Sequence, residues 1–233
     1  LVIYSDKESC EPIEKYAKSN PRIILIIKPN EQFKNYIYQE NWIRNHNKND
    51  LLNTRIDWKV NMLWAEKIHF VHETMTRKYF DTEYYGWCDI GYFRCGDRDL
   101  SKEELKNWSN PEKIRSLQKD KIYYALVNNN KEYVKYLCNI IQHKNTFDIP
   151  NTPIPNYQVS VAGGFFISHK NNIEWWKYTF DKKLEAYFLH NYLVKDDQII
   201  IADCVFSNPD RFYLCQEGDH RYDNWFLFQR LFV

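Results

Sequence analysis

Between Pro21 and Pro29 the chain reads Arg22-Ile23-Ile24-Leu25-Ile26-Ile27-Lys28. A continuous, mostly β-branched run of this length reads as a strand buried on both faces. Ahead of it, Leu1-Val2-Ile3-Tyr4-Ser5-Asp6 is a second strand-like run, and Glu11 to Lys18 has the length and composition of a short helix. Strand, helix, strand within thirty residues is the α/β pattern, which sets the expected fold class. The opening run looks like a strand already in progress with no initiator Met, so a segment of a longer chain is expected, with any targeting signal upstream.

The remaining chain extends the pattern. Residues 28–55 are polar and rich in Asn and Lys, and are expected to be irregular. One helix is predicted from about Asp57 to Lys78, with Val60, Trp64, Ile68, Val71 and Met75 along one stripe. Lys121 to Val127 is a predicted strand, followed by a helix through about Gln142. Pro150, Pro153 and Pro155 make His143 to Tyr157 a semi-rigid loop, of a length that often serves as a lid or binding loop. Gln158 to Ser168 is read as a strand containing Gly163-Gly164. A helix follows to about Leu193, with Ile173, Trp176, Phe180, Leu184 and Tyr187 on one face. Arg211 to Leu214 is a last strand. No repeat or linker divides the chain, so a single domain over 1–233 with a mixed central sheet flanked by helices is expected.

Bulk properties remove several function classes. The formal net charge is +1 and acids are interspersed among the lysines, so no basic stripe invites nucleic acid or an anionic membrane. No apolar run is long enough to span a bilayer. Six cysteines, at 10, 88, 95, 138, 204 and 215, include no Cys-x-x-Cys pair and fit no zinc spacing. They are expected as free thiols in a reducing compartment, which places the protein in the cytoplasm. The sequon Asn107-Trp108-Ser109 is too common by chance to argue for secretion, and His69 and His72 lack the His-Glu-x-x-His spacing of a metal helix.

Chemistry concentrates at a few points. Tyr84-Tyr85-Gly86-Trp87-Cys88-Asp89-Ile90-Gly91 reads as a buried central strand that stops at an acid. The carboxyl ends of strands are where open α/β sheets bind ligands, although Asp also caps turns. Gly91 is expected where the backbone needs positive φ or room for a ligand. Asp97 and Asp99 are read as loop and helix-dipole residues beside a capping box at Ser101 and Glu104. Gly163-Gly164 inside a strand marks either a bulge or the close approach of a ligand or another backbone. Asp196-Asp197-Gln198 precedes the apolar run Ile199-Ile200-Ile201, where adjacent acids suit a helix N-terminus.

Taken in order, Trp87-Cys88-Asp89-Ile90-Gly91-Tyr92-Phe93-Arg94, then Gly163-Gly164-Phe165-Phe166 before a Trp-rich helix, then Asp196-Asp197-Gln198, resemble nucleotide-sugar glycosyltransferases of the GT-A fold. More narrowly, the chain resembles the HtrL/YibB-like family over roughly residues 1 to 230, with Trp64 and Lys67 on the helix before the Asp89 strand. The resemblance implies a single GT-A-like, Rossmann-related domain that lacks its first strand. It implies transfer of a sugar from a nucleotide-sugar donor, a UDP-sugar favoured, to a glycan, lipid or protein acceptor.

By position, the resemblance makes Asp89 and His220 metal ligands for Mn²⁺ or Mg²⁺. Asp197, with Asp196 beside it, becomes the catalytic-centre carboxylate. Lys67 would approach the donor phosphates, and Trp87, Gly91, Arg94, Gly163, Gly164 and Gln198 would line donor and substrate. GT-A enzymes usually carry a second acid two residues after the first, and this chain has Gly91 there. That departure keeps a second reading in view, a binding module of the same fold that holds a nucleotide or glycan without catalysis. A nucleotidyltransferase shares the layout but would bring a Gly-rich phosphate loop near its first strand, and none is visible in this sequence.

Overall fold

The computed structural model describes every residue except Cys95, Asp97 and His220. The chain is α/β and divides into two compact units, Leu1–Thr82 and Glu83–Val233.

The first unit runs β1 (Val2–Ser5), α1 (Glu11–Ser19), β2 (Ile24–Ile27), α2 (Gln39–Asn47), α3 (Trp58–Ala65) and α4 (Lys67–Thr76). β1 and β2 pair in parallel, Val2 opposite Ile24, as a strand–helix–strand crossover requires. β2 is not buried on both faces: Ile24, Leu25 and Ile26 are half-buried and Ile27 is exposed, because the two strands form a sheet by themselves. Residues 28–55 are also more ordered than their polarity suggests. Two 3-10 turns, Asn30–Gln32 and Lys34–Tyr38, lead into α2, where the buried Trp42 donates its indole N–H to the Asn35 carbonyl at 3.2 Å.

The helix predicted over 57–78 is two helices with a break at Glu66. Glu66 is fully buried, and its carboxylate accepts the backbone N–H of Lys34 at 2.7 Å and of Asn35 at 3.0 Å, with the Asn35 side-chain amide at 2.9 Å. Burial pushes this carboxyl above its usual range. A periodic stripe cannot reveal such a break, since the groups that hold it lie thirty residues upstream.

The second unit runs β3 (Tyr84–Cys88), α5 (Pro111–Arg115), β4 (Ile122–Ala125), α6 (Lys131–Gln142), β5 (Phe165–His169), α7 (Lys170–Leu189), α8 (Asp197–Ser207), β6 (Phe212–Cys215) and α9 (Leu227–Leu231). Its sheet has the order β3-β5-β4-β6 and is mixed, as expected: β5 runs antiparallel to β3 and β4, and β4 runs parallel to β6. β3 is an edge strand and not a central one, because β5 inserts between it and β4. Period-two alternation assigns the two faces. Tyr124, Phe166 and Phe212 face α7, where Trp176 lies edge-on to Tyr124 and Phe212. Tyr123, Ala125, Phe165 and Ile167 face the opposite cluster with Tyr92, Phe228 and Phe232. The expected α7 stripe is buried throughout, from Ile173 to Tyr187.

α7 ends four residues earlier than predicted. Asn191 takes the left-handed conformation (φ 60°), and the N–H groups of Asn191 and Tyr192 return to the Phe188 and Tyr187 carbonyls at 3.2 and 2.8 Å. This is a Schellman closure with Asn in the place Gly usually takes. The Ser101–Glu104 capping box forms, with the Ser101 N–H and hydroxyl both on the Glu104 carboxylate, but it opens a 3-10 turn and not an α-helix.

The 143–157 loop is pinned at its first half. Lys144 reaches the fully buried Asp203 of α8, which also accepts the Tyr187 hydroxyl at 2.9 Å and the Ser207 hydroxyl at 2.9 Å. Lys183 lies 3.5 Å from the same carboxylate and pairs with Asp148. Removing the one buried acid that the half-buried Lys144 and the buried Lys183 share should cost about 3–5 kcal/mol. Asp203→Asn is therefore expected to lower the melting temperature by about 10 °C in a calorimetric scan. A fall of under about 2 °C would show the network to be energetically idle.

Among the described residues no helix is long and apolar enough to cross a membrane, and Cys10, Cys88, Cys138, Cys204 and Cys215 are free. Burial pushes the Cys88 and Cys215 thiols up to about 12, which makes them packing residues and not nucleophiles.

Candidate functional site

β3 delivers Asp89 to the site. The strand ends at Cys88, the chain turns into a 3-10 turn at Ile90–Tyr92, and Asp89 sits between them, half-buried. Its backbone N–H donates to the Gly164 carbonyl at 2.8 Å, one residue before β5 begins. The Trp87 indole N–H donates to Asp89 Oδ1. Trp87 therefore orients the acid whose neighbourhood it was expected to line. Ile90 beside it is almost wholly exposed.

α8 delivers Asp197. Asp196 is the N-cap residue and Asp197 the first helical position, both buried, where carboxylates suit the positive end of the helix. The Asp196 side chain makes no capping bond and lies 2.8 Å from Lys195 Nζ. Lys195 thus neutralises one of the two adjacent acids locally, a partner that sequence reading missed although it precedes Asp196 directly.

The diglycine joins these elements. Gly163 and Gly164 lie just before β5 and not within it, and neither has positive φ. Their lack of side chains is explained by proximity. A Cβ on Gly163 would sit 3.0 and 3.2 Å from the two Asp197 carboxylate oxygens and 3.2 Å from Gln198 Cγ. A Cβ on Gly164 would sit 3.3 Å from Asp89 Oδ2 and 3.8 Å from the Tyr92 ring. The bulge reading does not hold, since the pair lies outside β5, and what crowds the missing side chains is a pair of carboxylates and not another backbone. Two carboxylates from separate elements therefore border consecutive residues, whose α-carbons stand about 3.8 Å apart.

Further support comes from residues the sequence did not single out. Gln158, fully buried, accepts the Ser160 hydroxyl at 2.7 Å and donates to the Gln198 carbonyl at 3.4 Å, so it steadies the start of α8. Tyr92 is buried under the site, and its hydroxyl accepts the Phe228 N–H at 3.1 Å. Burial raises that phenol far above its ordinary range, so it is a structural group and not an acid.

Gly91 does not need its glycine for conformation, and a Cβ there would make ordinary contact with Arg94 at 3.4 Å. Arg94 is held by its Nε–H on the Gly91 carbonyl at 2.7 Å and stacks over Phe226 at 5.3 Å. The structure thus gathers Trp87, Asp89, Gly163, Gly164, Asp197 and Gln198, with Gly91 and Arg94 on the turn after Asp89. Lys67 belongs to the first unit, buried on α4. His220 lies outside the described residues.

Metal fit follows from the donor set. Among the described residues no three His, Cys, Asp or Glu side chains gather to hold an ion, so no protein cage for a resident metal is formed by them. A Mg²⁺- or Mn²⁺-type ion commonly uses one or two carboxylates and completes its shell with substrate phosphates and water. Asp89, an oxygen donor packed against Gly164 where a Cβ would crowd its carboxylate, fits that lesser role.

A family model described as "Bacterial protein of unknown function (HtrL_YibB)" matches residues 22–233. No curated protein and no solved structure matches the chain significantly.

Proposed function

The chain belongs to the HtrL/YibB family, and on that premise we propose that it is a GT-A-type glycosyltransferase acting on a nucleotide-sugar donor, with a UDP-sugar favoured. One observation carries the reading: a side-chain-free step of backbone, Gly163-Gly164, bordered by the carboxylates of Asp197 and Asp89. That arrangement packs two acids with separate supports against one short stretch of backbone, and group transfer from a diphosphate needs two such acids.

In the proposed reaction the bond between the anomeric carbon and the diphosphate oxygen breaks, and a bond to an acceptor hydroxyl oxygen forms. Mn²⁺ or Mg²⁺, held by Asp89, would supply Lewis-acid neutralisation of the departing diphosphate. Trp87 fixes the rotamer of Asp89 through its indole N–H. Asp197 either accepts the proton of the acceptor hydroxyl or stabilises the oxocarbenium character of the sugar. The Lys195–Asp196 pair keeps the second acid from competing for that proton. The missing side chain at Gly163 lets the Asp197 carboxylate pack directly against the backbone.

The test is a thermal-shift panel of nucleoside diphosphates and their sugars, with and without Mn²⁺. A ligand at about a hundred times its dissociation constant adds roughly 2.7 kcal/mol. One nucleotide sugar should raise the melting temperature only with Mn²⁺, and Asp89→Ala should erase that increment. No stabilisation by any nucleotide under either condition would overturn the transferase reading. Nucleotide binding without turnover would favour the binding-module alternative, which the lone acid at Asp89 also favours.

A further inference from the structure

We infer that the amide side chains of Asn129, Gln216 and Asn224, gathered where β4 and β6 end, form a subsite for a neutral sugar ring. Its role in a reaction rests on the transferase reading; its geometry does not. β4 and β6 are the parallel pair of the sheet, and ligands of open α/β sheets bind beyond the carboxyl ends of such strands.

Gln216 Nε2 donates to Asn129 Oδ1 at 2.7 Å and to the Asn128 carbonyl at 3.3 Å. Asn224 Nδ2 donates to the same Asn129 Oδ1 at 3.2 Å and to the Glu217 carbonyl at 3.5 Å. Two amide N–H donors thus fill both lone pairs of Asn129 Oδ1 and fix its orientation. The consequence is directional: Asn129 is left to offer its Nδ2 as donor, and Gln216 its Oε1 as acceptor, from side chains exposed at the surface.

Asn224 supplies an independent sign. The residue is 8% exposed, and among the described residues its buried Oδ1 has no hydrogen-bond partner. An unmet buried acceptor costs stability, and a ligand hydroxyl is a group that would satisfy it.

The cluster's chemistry selects the ligand class. Each sugar hydroxyl both donates and accepts, which paired amides match and a cationic site does not. Glu217, beside Gln216, is matched by Arg230 at 2.8 Å, and Asp223, beside Asn224, accepts the Trp225 N–H at 3.0 Å, so the groups left to meet a ligand are the neutral amides. A phosphate would call for Arg or Lys instead. The subsite is also tied to the carboxylate site. Asn128 Nδ2 donates to the Val159 carbonyl at 2.8 Å, and the Val127 N–H donates to the Ser160 carbonyl at 2.8 Å, on the segment that leads into Gly163.

The ring belongs either to the donor or to the acceptor, and the experiment separates them. The ¹⁵N-labelled protein is titrated with glucose, galactose and N-acetylglucosamine, and in parallel with UDP and UDP-sugars, following the side-chain amide signals of Asn129 and Gln216. Both residues are exposed, so Asn129→Ala and Gln216→Ala keep the fold. One sugar is expected to move those signals saturably, and each variant to weaken it about 3- to 10-fold, the worth of one or two neutral hydrogen bonds. Weakening of a UDP-sugar with UDP unchanged assigns the ring to the donor; weakening of the free sugar alone assigns it to the acceptor. Sugar binding by a protein that no nucleotide stabilises would uphold the subsite and sink the transferase reading. Nucleotide-sugar binding with these amide signals unmoved, or variants that bind every sugar as the wild type does, would overturn the subsite.

Discussion

Asp197→Asn is expected to keep the fold and donor binding while turnover falls about 10²- to 10⁴-fold, the usual worth of a positioned proton acceptor. The side chain keeps its shape, and an Asn at the start of α8 forfeits a charge–dipole term of about 0.3–1 kcal/mol. On the proposed assignment nucleotide-sugar stabilisation would run through Asp89, and it should survive. The pairing of readouts is the discriminating part. A variant that loses binding as well as turnover would mean that Asp197 holds the donor. A variant with full turnover would remove it from the chemistry. Gly163→Ala offers a second approach to the same carboxylate, since the added methyl would arrive 3.0 Å from Asp197 Oδ2 and must displace it. The carboxylate need give only by a few tenths of an ångström, so a smaller loss of turnover than in Asp197→Asn is expected.

Gly86→Ala should have the largest effect on folding. A Cβ there would stand 2.2 Å from the Phe166 carbonyl oxygen and 3.1 Å from the Ile167 α-carbon, both backbone atoms of the paired strand β5. Nothing flexible can yield, so β3 and β5 must separate, and Asp89 loses its bond to Gly164. A loss above about 4 kcal/mol is expected, in the exceptional range for one substitution. It should appear as insoluble protein or a melting temperature lowered by more than about 10 °C. A stable Gly86→Ala protein that still showed native hydrogen-exchange protection at Phe166 would refute the packing.

What the sequence made legible was local. The α7 stripe spans many turns, so its period alone identified the buried face from Ile173 to Tyr187. Asp89 at a strand end and Asp197 at a helix start follow from short-range patterns and hold in the structure. The larger misreadings depend on distant partners. β3 moved to the edge because β5 inserts beside it, a choice made across the 85 positions that separate Tyr84 from His169. Glu66 breaks a periodic helix because amides at Lys34 and Asn35 hold its carboxylate. The Asn-rich stretch folded as helix because Trp42 is buried, which composition averages away. At the site, the glycine pair was legible as an anomaly, but the two acids that explain it were visible only in three dimensions.

The parallel pairing of β4 with β6 has a consequence for how the protein assembles. Ile122 meets Phe212, ninety positions later, and the neighbouring ladders join Tyr84 to His169 and Ile122 to Ser168. No strand of this sheet can zip to one nearby in sequence, so each ladder must close a long loop before its bonds repay the lost chain entropy. Folding of the Glu83–Val233 unit should be slow and should wait for synthesis to pass Cys215. Until then the nascent chain carries β4 with one unpaired edge, and a chaperone or the remaining chain must reach it before another molecule does.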